Sequence, residues 1–499
     1  MLYHSTRDNS RRVASAQAIV SGLAPDGGLY VPEYLPEFTL DDISALSEMD
    51  YPSLAARVLA RYLDDYSEDE LRGFTKMAYS RAKFDAETPA PLTALSDNEY
   101  LLELFHGPTC AFKDFALQML PFLLVAALRK TGETREAAIL VATSGDTGKA
   151  ALEGFAGVPG TRICVFYPDG GTSHIQRLQM TTQAGDNVMV YAVRGNFDDT
   201  QNGVKQIFTD KAFAAEASAK GILFSSANSI NLGRLVPQIA YYFHAYCSLV
   251  KSGRIRLGDR MDVVVPTGNF GNILAAYYAK HSGLPVGRLI CASNKNNVLT
   301  DFISTGRYDR RREFYLTASP SMDILISSNL ERLLYLLCDG DDKKLSSFMS
   351  ALSRDGEYTI DKAMLARLQS EFSAGCADDA RTLETIRETF EHCGYLLDTH
   401  TAVAVAVYND YVRTNGGGTP TVIASTASPF KFAGSVLSAL GERQPGREYD
   451  DFELLEALER VSGEKAPAAL AGLRSKAERF TGVIEADAMK DAVSGWLER

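Results

Sequence analysis

Paired cysteines, long apolar runs and an excess of basic charge are all missing from this 499-residue chain, and each absence removes a class of function. The seven cysteines, at 110, 164, 247, 291, 338, 376 and 393, are odd in number and contain no C-x-x-C pair. That pattern suits reduced thiols better than a disulfide framework or a zinc site. His392 and Cys393 adjoin, but no second ligand pair accompanies them, so no metal is expected. The best apolar stretches, PFLLVAALRK from Pro121 and TAVAVAVY from Thr401, are too short to cross a bilayer and belong in a core. A formal charge of -12 repels phosphate backbones and anionic membranes, which argues against nucleic acid or membrane as partner. Any anionic ligand must then be captured by local groups. The segment MLYHSTRDNSRR leads into no apolar run, so no secretory signal is expected and the default compartment is cytoplasmic.

What the chain does have is 45% apolar composition, enough for a large core and two or three domains. From Asp41 to about Ala86 the apolar residues recur with helical period, ending at Pro89 and Pro91. After that, apolar runs at 137–142 and 161–167 flank a Gly-rich turn and a helical segment, which predicts a βαβ unit in a parallel sheet. The same grammar returns with the run from Met261, TGNFG, a helix from Asn272 and a second run from Arg288. A helix is expected over 399–412, a strand from Thr421, and mostly polar helix between Asn294 and Glu391. The expected organisation is a mainly helical region over 1–90 and two open parallel-sheet α/β domains, over 91–255 and 256–499. The stretch between Asn294 and about Glu391 holds no internal repeats or low-complexity sequence.

Five segments carry candidate chemistry, and each also has a plain structural reading. In HGPTCAFKDF, Lys113 sits among aromatic residues after a Gly-Pro turn. Burial there lowers a lysine pKa towards imine-forming reactivity, whereas pairing with Asp114 on a solvated face gives an ordinary surface lysine. TGNFGN, Thr267 to Asn272, lies between a strand and a helix, where converging N–H groups hold a phosphate. It can equally be a tight turn; it has neither a Walker lysine nor G-x-G-x-x-G spacing. TSGDTGKAAL offers Ser144, Asp146 and Thr147 at a helix start, as a carboxylate site or as caps. SSANSINLGRLVPQ offers Asn228, Ser229, Asn231 and Arg234, as a phosphate site or as a capped helix with a surface arginine. TASPFKF puts Thr426 at a strand's carboxyl end, where open α/β sheets bind ligands, or where a hydroxyl caps a turn. His400 reads as a helix-start histidine without a catalytic part.

Together with YHSTRD at Tyr3, GGLYVP at Gly27 and SPSMDI at Ser319, these five segments occur in the order found in threonine synthases. The chain resembles that family, a branch of the fold-type II pyridoxal-phosphate enzymes related to tryptophan synthase β, over nearly its whole length. HGPT-x-A-F-K-D and SPSMDI are specific to the branch. The resemblance implies pyridoxal 5'-phosphate as cofactor, carried by Lys113 as a Schiff base, with Lys113 also shuttling protons. It implies that Gly268, Asn269, Phe270, Gly271 and Asn272 hold the cofactor phosphate and that Thr426 meets the pyridine nitrogen. Ser144, Asp146 and Thr147 then meet the substrate's amino-acid end, and Asn228, Ser229 and Arg234 its phosphate. The implied reaction turns the small molecule O-phospho-L-homoserine and water into L-threonine and phosphate. A phospho-lyase giving a 2-oxo acid, or a degenerate binding homologue, are the alternatives. One departure stands in the last motif, where relatives commonly read T-A-H-P-A-K-F and this chain has Ser428 and Phe430.

Overall fold

The structure is a computed structural model that describes residues 1–143, 145–443 and 447–498, apart from the side chain of Asp198. The chain opens with a small antiparallel sheet in which Leu2–Ser5 lies between Val13–Ala14 and Tyr30–Pro32. Helices Leu40–Ser47, Tyr51–Tyr62 and Glu68–Ala78 follow. Thr39 and Ser67 form capping boxes and Asp50 caps the middle helix ahead of Pro52, so each start is fixed by its own side chains.

Two parallel sheets make the body. The smaller runs Val483–Glu485, Val188–Arg194, Thr161–Pro168, Glu136–Ala142, Ile222–Ser225, with every neighbouring pair parallel. The larger runs Phe372–Cys376, Val286–Ser293, Met261–Pro266, Thr421–Ser425, Glu99–Glu103, Leu92–Ala94, with only the last pair antiparallel. Helices cover the faces, so the central strands are apolar without alternation: Ile139, Leu140, Val141, Val263, Val264 and Val265 are all fully buried. The expected runs at 137–142, 161–167 and 261–265 are strands, and the helices expected from Asn272 and over 399–412 are Gly271–His281 and Thr399–Asn415.

Two differences from the sequence reading bear on the site. Strands Leu92–Ala94 and Glu99–Glu103 pair into the sheet of Met261–Pro266, and Val483–Glu485 pairs into the other, so the sheets draw chain from both sides of residue 255. Phe372–Cys376, within the stretch expected to be helical, is an edge strand against Val286–Ser293. Its run FSAGC is short and mixed in polarity, and pairing rather than pattern makes it a strand. All five candidate segments follow the carboxyl end of a parallel strand, the rim where open α/β sheets collect ligands. Among the described residues no helix is long and apolar enough to cross a membrane.

Candidate active site

Lys113 opens the short helix Lys113–Leu117 and turns inward. Its side chain is 12% exposed, with Nζ 3.2 Å from Asp146 Oδ2, 3.3 Å from Ser321 Oγ, and over the Phe112 ring. Asp114 is not its partner. That carboxylate is fully buried and accepts from the Thr109 amide at 2.9 Å and hydroxyl at 2.7 Å. Burial raises Asp114 to about 6. Burial also lowers the Lys113 pKa, although Asp146 works the other way.

Asp146 is the hub. Its Oδ1 lies 2.6 Å from Lys431 Nζ and accepts from Gln176 Nε2 at 2.9 Å, while Oδ2 accepts from Ser321 Oγ at 3.2 Å. Burial alone would raise this carboxyl, but the ammonium of Lys431, then that of Lys113, holds it well below the usual range. The loop before it is closed by Thr143, whose hydroxyl accepts the amides of Gly145 at 3.0 Å and Gly148 at 2.9 Å. Thr143 therefore acts as a cap here, a part not expected of it from the sequence. Thr147 sits half-buried in the first turn of the helix, and Ser144 lies outside the described residues.

The glycine bend meets Lys113 through Ser321. A Cβ at Gly268 would fall 2.8 Å from the Ser321 carbonyl, so only glycine lets the bend close on the turn Pro320–Met322. Phe270 adopts the left-handed conformation, with φ of 61°, and Gly271 begins the helix. The carbonyl of Asn269 is pinned by Asn329, through its amide at 3.1 Å and its side chain at 2.9 Å. Asn272 is buried with Oδ1 accepting from the hydroxyls of Tyr241 and Tyr242, while its Nδ2 has no partner among the described residues. A buried N–H group left unpaired beside a helix start and a glycine cradle is a donor set for an oxyanion.

Arg234 is not on the surface. It is 3% exposed, its Nη1 donates to the Ala227 carbonyl at 2.6 Å, and its Nε has no partner among the described residues. With no carboxylate among the described residues to compensate it, burial pushes Arg234 down to about 10, and its charge reaches Lys113. Asn228 and Ser229 are half-buried in the adjoining turn. Asn231 instead serves the fold: it caps the helix Leu232–Leu235 and donates to Ile19 and Ser226. Thr426 follows the strand Thr421–Ser425 and is buried; its carbonyl accepts the Phe112 amide at 2.9 Å, tying it to the residue before Lys113. Lys431 and Lys113 thus face one carboxylate, and the charge of Arg234 reaches Lys113, in a chain whose overall charge is negative.

Ser321, Gln176 and Lys431 went unassigned in the sequence. Ser321 and Lys431 lie within the quoted motifs SPSMDI and TASPFKF, which were the available signal. Phe430, at the departure from the family motif, is buried and lines a small cavity with Ile175 and Leu454 behind Lys431. His400 does start a helix, capped by Asp398, yet its Nε2 accepts the Ser321 amide at 3.1 Å and its Nδ1 lies 2.9 Å from Asp398. The imidazole thus steadies the turn that touches Lys113.

At the start of the Lys113 loop, His106 Nε2 lies 2.7 Å from Glu103 and Nδ1 3.1 Å from Asp85. Burial disfavours the imidazolium, but the two carboxylates outweigh it and raise His106 to about 9. A folded-state pKa above the unfolded value stabilises fully below the unfolded pKa, near 6.5, and the contribution is lost as pH rises through about 9. Relative to His106→Gln, the wild-type protein is therefore expected to lose about 1–2 kcal/mol between pH 6.5 and 9.5, discounted because Asp85 is exposed. Urea unfolding of both proteins across that range measures it.

Residues 2–79 match the sequence family described as threonine synthase N terminus, 84–426 match pyridoxal-phosphate dependent enzymes, and 401–493 match threonine synthase, C-terminal. The chain is 41% identical over 440 residues to threonine synthase of Pseudomonas aeruginosa, covering 88% of this chain and 90% of that one. It is also 41% identical over 435 residues to Threonine synthase-like 1 of Homo sapiens, covering 85% of this chain but 58% of that protein, so it spans little more than half that relative's length. Among solved structures, PLP-bound threonine synthase from Brucella melitensis superposes with a TM-score of 0.87 at 38% identity, covering 100% and 98% of the two chains. Threonine synthase from yeast gives 0.88 at 33%, covering 100% and 99%. With the lysine, the glycine bend and the buried donors arranged as above, these matches establish that the chain belongs to the threonine synthase family of pyridoxal-phosphate dependent enzymes.

Proposed function

We propose that the protein is a threonine synthase, a carbon–oxygen lyase that converts O-phospho-L-homoserine and water to L-threonine and phosphate with pyridoxal phosphate. The observation that carries this is a buried lysine amine, free of Asp114, joined through Ser321 to a glycine bend with an unpaired donor at Asn272. In this reading Gly268, Asn269, Phe270, Gly271 and Asn272 hold the cofactor phosphate, Thr426 meets the pyridine nitrogen, and Lys113 is the point of covalent attachment. Bound there, the cofactor supplies an electron sink that makes the substrate's α-proton removable.

The chain's own groups supply the rest. Lys113, held within hydrogen-bond reach of Asp146 and Ser321, removes the proton at Cα, then the one at Cβ, and later returns one at Cγ. Arg234, with Asn228 and Ser229, takes the substrate phosphate and stabilises charge developing on the departing oxygen. Thr147 and Ser144 meet the amino-acid end. Asp146 stands beside them, but with both oxygens engaged by cations and donors it serves as a counter-ion and does not itself meet a carboxylate. Water adds at Cβ. The expected setting is the cytoplasm, with a small phosphorylated amino acid as partner and neither nucleic acid nor membrane.

A second reading is phosphate release with formation of 2-oxobutyrate, which would use the same lysine and arginine without addition of water at Cβ. Incubating the protein with pyridoxal phosphate and O-phospho-L-homoserine separates them. Threonine and phosphate in equal amounts are expected. Phosphate matched by 2-oxobutyrate selects the lyase, and no phosphate release leaves a binding homologue.

A further inference from the structure

Lys431 is a chemistry-bearing group that the proposed reaction leaves without a part. Its side chain is 0% exposed, with Nζ 2.6 Å from Asp146 Oδ1, and it donates to the Thr109 carbonyl at 3.0 Å. The other oxygen of Asp146 faces Lys113 at 3.2 Å. One carboxylate is shared by two ammonium groups, and the shorter contact belongs to the lysine anchored in the turn Pro429–Phe432. We propose that Lys431 is a positioning residue, the standing counter-ion of Asp146, which leaves the Lys113 amine free to form, break and re-form its link to an aldehyde cofactor. The inference rests on Lys113 being the attachment point.

The reasoning starts from the cost of burying charge. An ionised carboxylate in the interior is tolerated only when paired and hydrogen-bonded. If Lys113 were the sole cation beside Asp146, the pair would hold Lys113 as an ammonium, and an ammonium has no lone pair with which to attack. Consuming that amine would also strand the carboxylate. With Lys431 permanently in place, Asp146 stays compensated whether Lys113 is free or linked. Lys431 further repels a proton on Lys113. Burial depresses the Lys113 pKa most, Asp146 opposes it, and Lys431 and then Arg234 add to the depression.

The charged groups facing Lys113 can be named element by element. Asp146 comes from the helix Asp146–Phe155, Arg234 from Leu232–Leu235, and Lys431 from the turn after Thr421–Ser425. The turn Pro320–Met322 contributes the hydroxyl of Ser321, with His400 bonded behind it. Asp114, on the same helix as Lys113, is turned away onto Thr109.

The test follows covalent capture rather than turnover. The full chain, stripped of cofactor, is mixed with pyridoxal phosphate across about pH 6 to 10, spanning the range over which a depressed lysine titrates. The uncharged amine adds to the aldehyde carbon, and water leaves as the C=N bond forms. Borohydride fixes the product, and mass spectrometry counts it on the Lys113 peptide. Lys431→Met is expected to move the midpoint of the rate profile upward by about 1–2 pH units, the scale of removing one nearby buried charge. Lys431→Arg should restore it nearly to the wild-type position. Loss of packing lowers the amount captured without moving the midpoint, so an unmoved midpoint in Lys431→Met overturns the inference.

If that variant does not fold, Asp146→Asn and Asp146→Asn/Lys431→Met give the same comparison without burying an unpaired carboxylate. The double variant should again titrate higher, and coincident profiles overturn the inference. Wild-type protein that fixes no cofactor on Lys113 sinks the reading of Lys113 itself, and this inference with it, whatever the variants do.

Discussion

Lys113→Ala is expected to abolish borohydride-fixed cofactor and to lower phosphate release from O-phospho-L-homoserine by about 10³-fold or more, since one group serves as both attachment point and proton carrier. The fold should survive. Lys113 is partly exposed, and its loss leaves Asp146 still paired with Lys431 at 2.6 Å and bonded to Gln176 at 2.9 Å. No buried carboxylate is orphaned, so the large penalty that usually follows deletion of one partner of an interior ion pair does not arise. Spectral titration with pyridoxal phosphate, phosphate assay and thermal unfolding read the three parts separately. Retention of covalent cofactor in the alanine variant would place the attachment on another lysine, and Lys431 is the first to examine.

The elements that place these groups were legible because burial on both faces writes long apolar runs into parallel strands. IleLeuVal at 139–141 and the valines at 263–265 announced their strands, and the motifs that follow each run fell on the ligand-collecting rim. Contacts between distant segments were not legible. Ser321 and Asp146 are 175 positions apart and meet in a turn, Pro320–Met322, on which the Gly268 bend closes and which His400 holds from behind. Likewise the sequence offered Asp114 as the neighbour of Lys113, but a helix start sends the two side chains in different directions, one to Thr109 and the other to Asp146. At the SGDTG loop Thr143 supplies a cap that the sequence did not single out, because neighbouring hydroxyls all satisfy the composition rule.

Arg234→Met is expected to separate function from stability, because the two pull against each other at this site. A guanidinium that is 3% exposed, with Nε unpartnered and no carboxylate nearby among the described residues, costs folding free energy in the absence of an anion. Methionine of similar length removes that cost, so resistance to urea should rise by about 1–3 kcal/mol. Over the same change, kcat/KM for O-phospho-L-homoserine should fall by about 10²–10³-fold, the scale of losing a charge-assisted hold on a departing phosphate. Covalent capture of pyridoxal phosphate on Lys113 should persist, since Asn272 and the glycine bend are untouched. Arg234→Lys keeps the charge but not the fork, one arm of which is spent on Ala227 at 2.6 Å, and should recover only part of the loss. If Arg234→Met instead unfolds more easily and turns over normally, the arginine is a packing residue, and the substrate phosphate must be sought elsewhere on the rim.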